Sequence, residues 1–293
     1  MAFNVSSLTN YVEQHNEDLL VKAILGGDMF KDISLQTGVK KTSALNILDV
    51  GVTLGDGTNC GFSASGADTF SQREITVSPL KVNKEWCSKD LTAKWTGYKV
   101  NTAANNDVLP FEEDLLEQVN EKVQSLIGFN IFQGNVVGSG YDSFNGLLTI
   151  TGTTEVTIDV ADSVSEAVNK VYMAIPETVL ENAVIYVAPA TYRVLVQELI
   201  AANLFHVNAT EGEGSFILAG TNTKVIKNNF LSGTKHIYAC DPKNIYFGTD
   251  LESDSEEYDL FYSKDNRTWR LVIEFKAGVQ LGFTDEVVYG VHN

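Results

Sequence analysis

The sequence predicts an α+β fold, and three observations carry that expectation. Residues 111 to 134 repeat apolar side chains at spacings of three and four, the period of one long helical face. The segments before and after it alternate apolar and polar residues, the period of half-buried strands. From about 155 to 255 the texture changes to short helices and strands in alternation. A long spine with thin sheets hung on it satisfies all three.

Residues 1–42 read as an N-terminal arm. Leu8, Tyr11, Val12, Leu19 and Leu20 make a weak amphipathic helix, interrupted by Gly26 and Gly27. The arm carries no partner face of its own, so it is expected to lie along another element or another subunit. Residues 43–82 read as a long two-stranded excursion. Leu48, Val50, Val52 and Leu54 alternate with polar or small residues on the way out, and Ile75 and Val77 do so on the way back. Small residues fill the tip between Gly55 and Gly66. An isolated ribbon of two strands is barely stable in water, so this one must dock. If this chain does not cover it, a neighbouring subunit does, and Gly55, Asp56, Gly57, Phe62 and Gly66 are the expected subunit contacts.

Trp86 and Trp95 follow and are expected to pack against the spine. The spine's inward face reads Leu115, Leu116, Val119, Val123, Leu126, Ile127 and Ile131. Pro110 suits a first turn, Glu112, Glu113 and Asp114 suit the positive end of the helix dipole, and Gly134 is placed for a left-handed cap. A Gly-rich connector to Gly146 leads to an expected hairpin around Leu147 to Ile158. Ser163 and Glu166 form a capping box ahead of Val164, Val168, Val171 and Ile175. Ala183 to Ala188 reads as a buried strand, and Pro189 opens a helix through Val194, Leu195 and Leu199. Strands are expected near Thr223 to Ile226 and His236 to Cys240. Tyr258 to Tyr262 and Trp269 to Phe283 flank a turn at Lys264 to Arg267, with Leu271, Ile273 and Phe275 facing one way.

Composition narrows the function. At 293 residues with 44% hydrophobic content the chain can bury a real core. Its formal charge of −17 disfavours gripping nucleic acid through phosphates or binding anionic membranes. The N-terminus lacks the basic and apolar regions of a secretory signal, and no apolar run reaches membrane-spanning length. Cys60, Cys87 and Cys240 are widely spaced, a pattern of reduced thiols.

No catalytic constellation emerges. Gly55-Asp-Gly-Thr-Asn-Cys-Gly61 is GxGxxxG with no helix after it, which a loop tip explains better than a nucleotide. His15, His206, His236 and His292 are isolated. Asp250, Glu252, Asp254, Glu256, Glu257 and Asp259 suggest a calcium loop, but Ser255 and Phe261 stand where Gly and Glu are required. A solvated acidic loop is the expectation there. No metal, cofactor or catalytic residue is assigned.

The order of elements resembles the major capsid protein of tailed double-stranded DNA bacteriophages, a fold shared with encapsulins. The resemblance covers nearly the whole chain and rests on Ile75-Thr-Val-Ser-Pro79, Trp86 to Leu91, Phe129 to Gly134 and Ile273 to Gln280 in that order. It implies an N-terminal arm (1–42) and an extended loop (43–82) reaching over a neighbour. It further implies a peripheral domain (83–154 with 256–293) holding the spine, and an axial domain (155–255) whose loop at 203–216 points to a capsomer axis. Such proteins assemble with themselves into pentamers and hexamers that form an icosahedral shell around packaged DNA. They enclose it without sequence-specific binding, alongside scaffold, portal or decoration proteins, and no membrane is involved. The resemblance thus places the protein in a virion capsid assembled in the host bacterial cytoplasm. Some members weld subunits through a lysine in the extended loop, but no lysine lies between Lys41 and Lys81 here. An encapsulin-type cargo compartment is the alternative; a β-rich adhesin and an enzyme are more distant ones.

Overall fold

The periodic stretch forms helix α1, Phe111–Gln133, in this computed structural model, which describes residues 19–26, 28–54, 66, 68–87, 111–136, 143–202, 214–218, 220–250 and 257–292. Its 23 residues make a rod of about 35 Å. Leu116, Asn120, Val123, Ile127, Ile131 and Phe132 are buried. Leu126, expected on that face, is 58% exposed. At about 100° per residue it lies on the flank beside Ile127, and among the described residues no element covers that flank. Asn120 is inward in its place, and its side-chain oxygen accepts from the Tyr258 hydroxyl at 3.2 Å. Gly134 does not adopt the expected left-handed cap. Its lack of a side chain instead admits the returning chain, since a Cβ there would overlap the Phe144 carbonyl oxygen.

The described part of the arm lies along another element. Residues 19–25 are helical, with Leu19, Leu20, Ala23 and Ile24 buried in the main core beside α1. Gln124 Nε2 donates to the Lys22 carbonyl at 2.6 Å, and Lys22 Nζ lies 3.4 Å from Glu117. Leu8, Tyr11, Val12 and Trp95 fall outside the described residues.

Strands are numbered in chain order. The first sheet has five: β1 (Ser34–Gln36), β4 (Ser78–Cys87), β10 (Ile245–Thr249), β11 (Glu257–Ser263) and β12 (Thr268–Leu281). β12 is its axis, with β4 antiparallel along one side and β11, then β10, along the other. Leu271, Ile273, Phe275, Ala277, Val279 and Leu281 are all buried, as alternation requires. Arg267 closes the β11–β12 turn at φ 54. Trp86 faces Trp269 across β4 and β12, and both are half-buried against the core to which the spine contributes.

The second sheet has six strands, in the order β5 (Thr154–Val156), β13 (Val288–Val291), β9 (His236–Cys240), β6 (Val184–Val187), β8 (Lys224–Lys227) and β7 (Ser215–Ile217). Helices α2 (Val164–Ala174) and α3 (Pro189–Ala201) share a core with Ile185, Val187, Ile237, Ala239 and Val288. The opposite face sends Tyr186, Tyr238 and Cys240 into the main core, where Phe132 meets the two tyrosines edge-on at 5.7 and 6.2 Å. The capping box forms as read, Glu166 N–H donating to Ser163 Oγ and Ser163 N–H to Glu166 Oε2. Glu198 of α3 adds a carboxylate to the same helix start, accepting from Val164 and Ser165 N–H at 3.1 and 2.8 Å.

The expected hairpin at 147–158 does not form. Leu147–Thr149 is a 3₁₀ turn, and β5 pairs parallel with β13, which lies more than a hundred residues away in sequence. The closing strand β13 also pairs with β9, so it belongs to the six-stranded sheet and not to the sheet of β11 and β12.

Candidate assembly surface

The excursion forms a separate two-stranded sheet, β2 (Thr42–Val50) and β3 (Asp68–Thr76), in unbroken antiparallel register from Thr42–Thr76 to Val50–Asp68. Its first strand stops at Val50, short of the alternation that ran on to Leu54. Among the described residues the hairpin is rooted at its Thr42/Thr76 end. Val39, Leu45, Ile75 and Val77 form a small core with Tyr246, and Gln280 Nε2 donates to the Glu74 carbonyl at 3.0 Å. Gly278 lets the strand at Thr76 cross β12 closely, because a Cβ there would overlap the Thr76 carbonyl oxygen.

Beyond that root the ribbon leaves the body. Val52 is 79% exposed and Leu54 is 102% exposed. Covering a valine and a leucine is worth about 1.5–3 kcal/mol each, a stabilisation left unused in a single copy. Of the expected contacts, Gly66 is described: it stands at φ +96 against the Gly51 carbonyl, so no other residue fits without strain. Gly55, Asp56, Gly57 and Phe62 lie outside the described residues.

A second apolar feature was not legible in the sequence. A groove of about 750 Å³ runs between α1 and the β4 side of the five-stranded sheet. Leu80, Val82, Leu126, Phe129 and Phe275 line it, with Ser143, Lys81 and Lys276 among its polar groups. Ser143 Oγ is buried without a hydrogen-bond partner, and Phe129 is 42% exposed.

The described residues offer little chemistry. They contain no group of three His, Cys, Asp or Glu able to hold a metal, and no helix long and apolar enough to cross a membrane. Burial pushes the Cys240 thiol far above its usual range, which removes it as a nucleophile, while Cys87 is exposed. Burial holds the His236 imidazole below its ordinary value, with the Glu155 carboxylate partly opposing that shift. His292 Nε2 lies 3.0 Å from the Asp162 carbonyl. His15, His206 and Cys60 are outside the described residues. Asp250 departs from the expected solvated loop: it is fully buried and ion-paired with Lys276 at 2.6 Å.

Comparison with known proteins agrees on the architecture. No protein-family model matches the sequence, and no curated protein does. Among solved structures, the satellite phage P4 procapsid aligns at 9% identity and TM-score 0.62, over 94% of this chain and 90% of that one. The capsid of an empty GTA particle aligns at 12% identity and TM-score 0.57, over 89% and 88%. A virus-like particle from Pyrococcus furiosus aligns at 10% identity and TM-score 0.53, over 97% of both chains. The chain therefore has the phage-capsid-type α+β fold.

Proposed function

We propose that this protein is a major capsid protein, assembling with copies of itself into pentamers and hexamers that close an icosahedral shell around double-stranded DNA. The observation that carries the reading is the shared fold, which runs through about nine-tenths of this chain and of the capsid chains it resembles. The projecting hairpin supports it, since Val52 and Leu54 need a neighbour's surface. In this reading residues 43–82 are the intersubunit loop, with Gly55, Asp56, Gly57, Phe62 and Gly66 at its contact. Residues 83–154 with 256–293 form the peripheral unit and 155–255 the axial unit, β13 going with the axial sheet to which it bonds. The role is structural and not enzymatic. Scaffold, portal or decoration proteins are the further partners this reading allows, the site of action is the virion, and assembly takes place in the host cytoplasm. The net charge of −17 fits a wall that leaves DNA free to be packed and released.

Negative-stain microscopy of the purified full chain tests the proposal. Uniform shells or flower-like rings are expected; a monomer on a sizing column at every concentration overturns it. A cargo compartment is the second reading, favoured by the alignment to the virus-like particle over 97% of both chains. Shell contents separate the two: nuclease-protected DNA marks a capsid, and an enclosed enzyme marks a compartment.

A further inference from the structure

β4 is a ten-residue strand at the border of its sheet, and among the described residues it pairs with β12 alone. Its middle, Asn83 to Glu85, is exposed. The direction of its backbone groups follows from one residue. Pro79 stands opposite Lys276 in an unbroken antiparallel register, yet has no N–H. A hydrogen-bonded antiparallel pair exchanges two N–H···O bonds, so this pair is of the non-bonded kind. By alternation Leu80, Val82, Lys84 and Trp86 bond to β12, while Lys81, Asn83 and Glu85 turn their N–H and C=O groups outward. Such a row is a template for another strand. Side chains follow the same parity, with Leu80, Val82 and Trp86 packed on the core.

We propose that β4 pairs antiparallel with β4 of a second copy about a two-fold axis at Asn83, joining two five-stranded sheets into one. This register sets Lys81 of each copy against Glu85 of the other, and Leu80 against Trp86. All three outward residues then meet outward residues. Pro79, which cannot donate, then stands opposite Cys87 at each end, outside those three pairs; moving the axis to Val82 brings it opposite Glu85 and leaves only two whole pairs. Moving it to Lys84 sets that lysine against itself. Glu85 is already held in place, accepting from Thr268 Oγ1 at 2.6 Å and Arg270 Nε at 3.1 Å. The contact goes beyond the shell reading, because it names one strand and one register, and it stands or falls separately.

The test is Asn83→Cys in a full chain carrying Cys60→Ser and Cys87→Ser, exposed to a mild oxidant. A hydrogen-bonded pair on the axis has Cα atoms about 5.5 Å apart, inside the range a disulfide spans. A covalent dimer near 64 kDa, twice the 32.1 kDa chain, is expected. Lys81→Cys in the same background is the control: its two copies stand four residues out of register, about 13 Å apart, and do not link. Adding Lys81→Glu to Asn83→Cys should cut the dimer yield several-fold. No dimer from Asn83→Cys, or equal dimer from the control, overturns the proposal. Microscopy on the same samples keeps the two readings apart: shells without the dimer refute the strand pairing alone, and the dimer without shells refutes the shell alone.

Discussion

Gly128→Ala is a change for which sequence and structure give opposite signs. Gly128 lies inside α1, where alanine is the better helix former by about 1 kcal/mol, so propensity alone forecasts stabilisation. In the fold, a Cβ at that position would overlap Cε1 and Cζ of Phe230 and come within 2.8 Å of its Cδ1. Phe230 has little room to retreat. It sits in the 3₁₀ turn Asn229–Leu231, whose carbonyl at Phe230 accepts from Gln133 Nε2 at 2.5 Å and whose Leu231 is fully buried. Forcing a methyl into a packed contact costs about 1–3 kcal/mol, which exceeds the propensity gain. The expected net is a loss of about 1 kcal/mol, or 2–4 °C in melting temperature for a chain of this class. Urea unfolding of the soluble chain, wild type against Gly128→Ala, measures it. Phe230→Leu should absorb the overlap, so the same substitution in that background should be neutral or stabilising. A raised midpoint in the wild-type background, or an equal loss in both, refutes the packing argument.

Lys276→Met should cost about 3–5 kcal/mol, because it strands the Asp250 carboxylate in the core; adding Asp250→Asn should recover most of the soluble yield. Val123→Asp should leave little soluble protein, whereas Gln118→Asp, on the exposed side of α1, should fold normally; equal yields would mean the helix is docked on another face. His236 sets a pH dependence. Its folded value is depressed, so its contribution is complete above the ordinary value near 6.5 and is lost as pH falls through the folded value. His236→Phe should therefore flatten the decline of melting temperature below about pH 6.5 and change little above it, and parallel profiles would rule the assignment out. In the shell reading, assembly followed by light scattering should strengthen with sodium chloride, as screening relieves a charge of −17 per subunit. Changing Glu252, Asp254, Glu256 and Glu257 to their amides should weaken that dependence, and assembly that falls with salt would indicate ion-paired contacts instead.

By itself the sequence determined whatever local physics controls. The spine's period, the Ser163–Glu166 box, the Pro189 helix start and the alternation of Leu271, Ile273 and Phe275 are each set within a turn or a few residues, and each appears in the fold. The two-stranded excursion was legible for the same reason. What only the tertiary structure decided depends on residues far apart in the chain. Leu126 is exposed although it has the right period, because among the described residues no distant element covers its flank of α1. Asp250 is buried although it begins an acidic run, because β12 brings Lys276 beside it. Glycines 128 and 134 serve Phe230 and Phe144, not the helix that contains them. β13 joins β5 across more than a hundred residues and β9 across about fifty, and β4 has a free edge among the described residues because β12 occupies its other side. No periodicity records such pairings: alternation tells which face of a strand is buried, but the partner on each edge is fixed by the packing of the whole chain.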